Sequence, residues 1–214
     1  MSAKGKLFLI ISYTPGAGKT FFMLDKALEI SSNQKVLIGF LYESHRQFDG
    51  NYRELTVAYN NIKHTYNIRD IINLNPDVVL MDELGVRGHN EEDKGRCVYQ
   101  DVDLLLDNGI DVYSTVNLKK FQVINDKFKK ISGIGVKKQI PVKYLDMAEK
   151  IYFIDRKPEL LIKDFENSEL FKERYMKSRI MKRNFSYEIL DKYQKLSYDI
   201  LDEYKDKLEI IVRD

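Results

Sequence analysis

Five apolar runs, each closed by turn-forming or charged residues, mark out the chain as far as Ile154. They are Leu7-Phe8-Leu9-Ile10-Ile11, residues 36–41, residues 77–83, residues 110–115 and Ile151-Tyr152-Phe153-Ile154. Continuous runs of this length predict strands buried on both faces, as in a parallel sheet covered by helices. Between them, apolar residues recur at helical spacing. The pattern predicts helices over residues 19–30, near 52–59, over 68–74 before Pro76, through Val98, Val102 and Leu105 to Asn108-Gly109, over 118–131, and from Pro141 to Glu149. Alternating strands and helices give an α/β fold, a P-loop NTPase-like and mainly parallel sheet, with every strand's C-terminal end on one edge.

After Pro158 no strand-like run is read. Ile189, Tyr193, Leu196, Ile200 and Tyr204 form a stripe at helical spacing. The expected organisation is a nucleotide-binding α/β domain over residues 1–157 and a C-terminal helical extension over 158–214 that packs on the same domain. The sharper alternative makes the stripe a docking helix for another protein.

Composition narrows the function classes. Thirty-five basic residues nearly cancel 33 acidic ones, so a net charge of +2 gives no electrostatic case for nucleic acid. Basic runs such as Lys119-Lys120 and Lys129-Lys130 alternate with acids and read as solvated helix faces. The single cysteine, Cys97, excludes an internal disulfide and a cysteine-built zinc site, and reads as a packing residue. No run approaches the ~20 apolar residues that span a bilayer, and no signal-peptide layout opens the chain. The expectation is a soluble cytoplasmic protein, recruited to a membrane only through a partner.

The strongest chemical signal is Thr14-Pro15-Gly16-Ala17-Gly18-Lys19-Thr20, between a predicted strand and a predicted helix. Backbone N–H groups in such a turn form an anion nest, and the helix N-terminus adds its dipole. Gly16 and Gly18 permit close approach. Lys19 would bridge the β- and γ-phosphates, and Thr20 would place its hydroxyl on Mg²⁺. Phe21 follows at the phosphate edge. Tyr13 stands where GxxxxGK[ST] has its first glycine. The expected cofactors are therefore ATP and Mg²⁺.

A second acid is needed from a neighbouring strand, and Asp82-Glu83 closes the third apolar run. Asp82 is assigned to magnesium, and Glu83 to orienting or activating a water. Thr115 and Asn117 end the fourth run and could sense a γ-phosphate. Arg87 and Arg96 flank the polar loop 85–95 and could neutralise transferring charge. Glu43-Ser44-His45-Arg46 follows the second run, where His45 could meet nucleotide or a signal.

These residues carry a family resemblance. Pro15-Gly16-Ala17-Gly18-Lys19-Thr20 with Met23-Leu24, Glu43-Ser44-His45, Met81-Asp82-Glu83-Leu84, and Gln100-Asp101-Val102 through Asn108-Gly109-Ile110-Asp111-Val112-Tyr113-Ser114-Thr115-Val116-Asn117, then Asn125-Asp126, are similar to motifs of one family. It is the N-terminal cytoplasmic domain of the KdpD sensor histidine kinases, which regulate high-affinity potassium uptake. The sequence departs from the family pattern at Gly85-Val86-Arg87-Gly88, in the acidic stretch 90–95, and at Lys119-Lys120.

The resemblance implies a regulatory ATP-Mg module of a two-component system. Full-length members add a universal-stress-like domain, transmembrane helices and a kinase core, for which 214 residues leave no room. A protein partner (a membrane sensor kinase or another signalling component) and a possible homodimer are therefore expected. Two other readings stay open: a slow ATPase or small-molecule phosphotransferase using Glu83, and a nucleotide-independent interaction module.

Overall fold

The computed structural model describes residues 3–42, 52, 54–59, 63, 65–167 and 185–214. Seven strands among them form one all-parallel sheet: β1 (Leu7–Ser12), β2 (Val36–Phe40), β3 (Thr56–Val57), β4 (Val78–Met81), β5 (Asp111–Asn117), β6 (Lys150–Arg156) and β7 (Leu208–Arg213). Their order across the sheet is β3-β2-β4-β5-β1-β6-β7. The α-helices among the described residues are α1 (Lys19–Ser31), α2 (Ile68–Asn73), α3 (Val98–Asp107), α4 (Ile124–Ser132), α5 (Lys143–Met147), α6 (Pro158–Glu166) and α7 (Tyr187–Leu201).

The apolar runs of the central strands reflect burial on both faces. Alternate residues point to opposite sides of a strand. Ile10, Ile38, Leu80 and Tyr152 therefore pack under Phe22, Met23, Leu24 and Ala27 of α1. Leu9, Ile11, Val79, Val112 and Phe153 join the core on the other face, beneath α3, α4 and α7. The central pair β1/β5 runs in register from Leu7 opposite Val112 to Ser12 opposite Asn117. That register brings the end of β5 beside the loop that leaves β1.

Four local expectations need correction. Where the sequence pattern predicts a helix near 52–59, Thr56 and Val57 form a two-residue edge strand, because they pair with Leu37 and Ile38 of β2. The expected helix over 118–131 is broken. Leu118–Lys120 form one 3₁₀ turn, and Phe121, which is fully buried, leaves the helix to pair with Ile140. The end of the chain is not purely helical either. β7 adds to the sheet beside β6, and its Leu208-Glu209-Ile210 start mixes charge with apolar residues because Ile210 and Val212 face solvent on an edge strand. Finally, β4 is not the neighbour of β1, since β5 lies between them.

The stripe on α7 is buried at Ile189, Tyr193 and Ile200. The Tyr193 ring sits 4.8 Å from that of Phe128 on α4. The segment holding Glu43, Ser44, His45 and Arg46 lies outside the described residues.

Where the helix over 118–131 breaks, Val123 sits at φ 68° and ψ −47°, with Ile124 N–H donating to the Gln122 carbonyl at 2.7 Å. This is a strained three-residue turn for a β-branched residue, and Val123 is 70% exposed. Val123→Gly is expected to stabilise the chain by about 1 kcal/mol and raise Tm by ~2–4 °C. A lower Tm in a thermal melt would contradict the strain.

Candidate functional site

The ends of β1, β4 and β5 converge on the segment 13–20. Gly16 and Gly18 take φ values of 83° and 95°, the left-handed region open to glycine, and Gly18 is the residue that opens α1. Ser12 Oγ donates to the Thr14 carbonyl at 2.7 Å, tying the turn to the strand. Pro15 and Gly16 are half-buried and Ala17 is fully buried. Tyr13 does not intrude on the loop. Its ring is buried toward Phe153, and its hydroxyl donates to the Arg156 carbonyl. Arg156 in turn donates to the Gly16 carbonyl at 3.1 Å. Phe21 is half-buried on the first turn of α1.

Lys19 is buried, and its ammonium donates to Ser12 Oγ and to Asn117 Oδ1, both at 3.1 Å. Thr20 Oγ1 donates to Asp82 Oδ1 at 3.2 Å. Thr115 is the hub between strands. Its hydroxyl donates to Asp82 Oδ1 at 2.5 Å and accepts the Glu83 N–H at 3.0 Å. Thr115 therefore orients the acids, whereas Asn117 reaches the lysine. Tyr42 N–H completes the set, donating to Asp82 Oδ2 at 3.2 Å.

Glu83 holds a positive φ of 52°, unusual for a side-chain-bearing residue. Its carboxylate accepts from Lys120 Nζ at 2.7 Å. Lys119 lies with its ammonium 5.8 Å from the Tyr193 ring centre. The two lysines are thus part of the site's surroundings rather than a solvated helix face. Arg96 instead pairs with buried Asp101 at 2.9 Å, an ion pair without directed hydrogen-bond geometry. Arg87 Nε donates to Cys97 Sγ at 3.4 Å.

Charge is unevenly held. Burial and the neighbouring Glu83 push the Asp82 carboxyl up to about 6, against opposing help from Thr115, the Tyr42 N–H and Lys19. Burial also pushes Glu83 up, but Lys120, Lys19 and Lys119 outweigh it and hold the group below its ordinary value. Burial, then repulsion by Lys120 and Lys19, lowers the Lys119 ammonium to about 8. All three ammonium groups bear on Glu83, whereas of the three only Lys19 bears on Asp82.

The donor set also fits a hard divalent cation. Thr20 and Asp82 bring a hydroxyl and a carboxylate oxygen together, and Asp82 is a buried acid short of positive charge. Among the described residues no cluster of three histidine, cysteine, aspartate or glutamate side chains could hold a metal alone. An ion there would rely on Thr20, Asp82, water and ligand oxygens.

Ser12, Arg156 and Arg213 escaped the sequence reading. Arg213, on β7, packs so closely that a Cβ on Gly18 would meet its guanidinium at 3.0 Å. Arg213 also pairs with Asp25 at 3.1 Å. Ser12 could have been found from its place, a small hydroxyl ending the strand before the loop. The two arginines carry no local signal, because they arrive from strands more than 130 residues away in sequence.

Fold and site together define an α/β domain of the P-loop type. The sequence profile of the osmosensitive K+ channel His kinase sensor domain, KdpD, matches residues 3–203, and this chain belongs to that family. It is 30% identical over 187 residues to the Sensor protein KdpD of Clostridium acetobutylicum, covering 81% of this chain and 20% of that protein. It is 29% identical over 181 residues to the Putative sensor protein KdpD of Synechocystis sp., covering 78% and 48%. With the Sensor protein KdpD of Escherichia coli it shares 28% over 167 residues, covering 73% and 18%. The chain thus spans from a fifth to a half of these relatives. Among the described residues no helix is long and apolar enough to cross a membrane.

The electrostatics of Asp82 give a signed expectation. Its folded pKa lies above the ordinary 3.8, so the folded state binds more protons between about pH 4 and 6 and stability falls as pH rises through that window. Asp82→Asn removes the buried charge and is expected to be more stable than the parent at pH 8, by on the order of 1–3 kcal/mol, read from denaturant unfolding. The gain should shrink by pH 5. A destabilised Asp82→Asn protein at pH 8 would contradict this.

Proposed function

We propose that this chain is an ATP-Mg-binding regulatory module of a KdpD-type two-component system controlling high-affinity potassium uptake. The carrying observation is the buried Lys19 ammonium, which shares its pocket with the glycine turn and the Thr20–Asp82 pair. In this reading the backbone N–H groups of residues 14–20, Pro15 excepted, cradle the phosphates, with Phe21 N–H beyond them. Lys19 leaves Ser12 and Asn117 in part to reach the β- and γ-oxygens. Thr20 and Asp82 hold magnesium, which when bound would neutralise charge on those oxygens. Asn117 keeps Lys19 oriented.

The state of Glu83 favours a holding site over a hydrolysing one. A carboxylate engaged by Lys120 and depressed by three lysines is a weak base for a water. Nucleotide occupancy would instead act by biasing loop 85–95, which begins two residues after Glu83. That loop is fastened through Asn90 Nδ2 to Asp101 at 3.0 Å. A change there would alter docking on a protein partner, either a membrane sensor kinase or another signalling component at the cytoplasmic face.

Calorimetric titration tests this reading. Wild type is expected to bind ATP-Mg, and Lys19→Ala to bind at least roughly a hundredfold more weakly. Asp82→Asn should bind ATP with the same affinity with and without magnesium. Equal binding by wild type and Lys19→Ala would end the proposal. Phosphate release should be the same for wild type and Glu83→Gln, and about a tenfold drop in Glu83→Gln would move the reading to an ATPase.

A further inference from the structure

A cleft of about 390 Å³ opens beside the acid-bearing loop, away from the glycine turn. Its volume falls within the ~300–1,000 Å³ usual for small-molecule sites. Four cations line it among the described residues: Arg87, Lys120, Lys137 and Lys138. Among the described residues no aspartate or glutamate does. This is not the signature of a basic protein, because the whole chain carries a net charge of only +2. The positive charge is gathered locally.

The cleft is built rather than incidental. Gly85 forms part of its wall, and a Cβ there would meet Ile140 Cδ1 at 2.9 Å and the Lys120 Cδ at 3.2 Å. The missing side chain lets the lysine stem and Ile140 lie against the loop. Gly88, at φ 92°, turns the chain between Arg87 and His89. Arg87 is fixed through Nε to Cys97 and by the backbone bridge between the same two residues. Lys137 and Lys138 are exposed and make no hydrogen bond or ion pair with a described residue.

One wall is aromatic. Tyr42 meets His89 edge-on, with centroids 5.7 Å apart and planes at 89°, and His89 rests on Phe40 at 4.7 Å. Tyr42 is 41% exposed, a surface on which a flat ring can stack. A ligand matched to these walls carries at least two negative charges and one planar ring. A phosphate monoester brings ~1.5 to 2 negative charges near neutral pH.

We propose that this cleft is a second ligand site, separate from the triphosphate loop, for a nucleoside monophosphate. The phosphate lies among Arg87, Lys120, Lys137 and Lys138, and the base lies on Tyr42. Lys120 makes the site more than a neighbour, because the same ammonium holds Glu83 at 2.7 Å. An anion in the cleft competes with Glu83 for Lys120. Binding there is therefore felt at the acid pair, and by linkage occupancy of one site alters affinity at the other.

The test uses the full chain carrying Lys19→Ala, which disables the triphosphate loop. AMP and GMP are titrated by calorimetry, with adenosine as the uncharged control. At least one monophosphate is expected to bind at a single site, more weakly as salt rises, while adenosine binds roughly tenfold more weakly or not at all. Adding Lys137→Glu and Lys138→Glu, both at exposed positions, should weaken the monophosphate by roughly tenfold or more. Refusal of both monophosphates, adenosine binding as well as AMP, or unchanged affinity in the glutamate variant would each overturn the proposal. The adenosine comparison needs no cleft variant, so it stands even if the double substitution misfolds. Loss of this site would leave ATP-Mg binding by wild type untouched, and the two readings fail separately.

Discussion

A buried ammonium is costly unless its donors are met. Lys19 meets them with Ser12 and Asn117, which close two adjacent strands in exact partnership across the sheet, Ser12 opposite Asn117. The site therefore depends on the β1/β5 register. A slip of one residue would turn each of these side chains to the opposite face. Leu9 and Ile11 on β1 and Val112 and Val116 on β5 prevent it, because all four are fully buried on the same side. Core packing and the placement of the Lys19 ammonium are thus one constraint.

The second half of the site is tied in through β5. Asp82 ends β4, one strand removed from the glycine loop, and Thr115 spans the gap with one hydroxyl that serves both Asp82 and Glu83. The cost is visible in the raised Asp82 carboxyl and in the positive φ of Glu83. A domain selected for stability alone would avoid both. Their presence together, beside Lys19, fits a pocket organised for a charged ligand. Lys120 then links this pocket to the loop after β4, so one ion pair joins the acids to the outer surface.

Much of this was legible in the sequence, and for physical reasons. The central strands declare themselves because double-sided burial leaves continuous apolar runs. The glycine loop declares itself because few residue types tolerate its geometry. What escaped was non-local. Thr56 and Val57 become a strand only by pairing with β2, and β7 only by pairing with β6. Phe121 leaves a helical pattern because Ile140 offers a buried partner. Lys119 and Lys120 looked like surface charge until the fold placed them beside Glu83. Gly85 and Arg87, read as departures from family motifs, turned out to wall a basic cleft with Lys120. Arg156 and Arg213 reach the loop from the far end of the chain, which no local pattern announces.

The most direct measurement is a crystal structure grown with a non-hydrolysable ATP analogue and magnesium. The expected density places the triphosphate within the turn 14–20, with Lys19 Nζ against β- and γ-oxygens and a cation between Thr20 Oγ1 and the Asp82 side. An empty turn, with Lys19 still bonded only to Ser12 and Asn117 at saturating analogue, would contradict it.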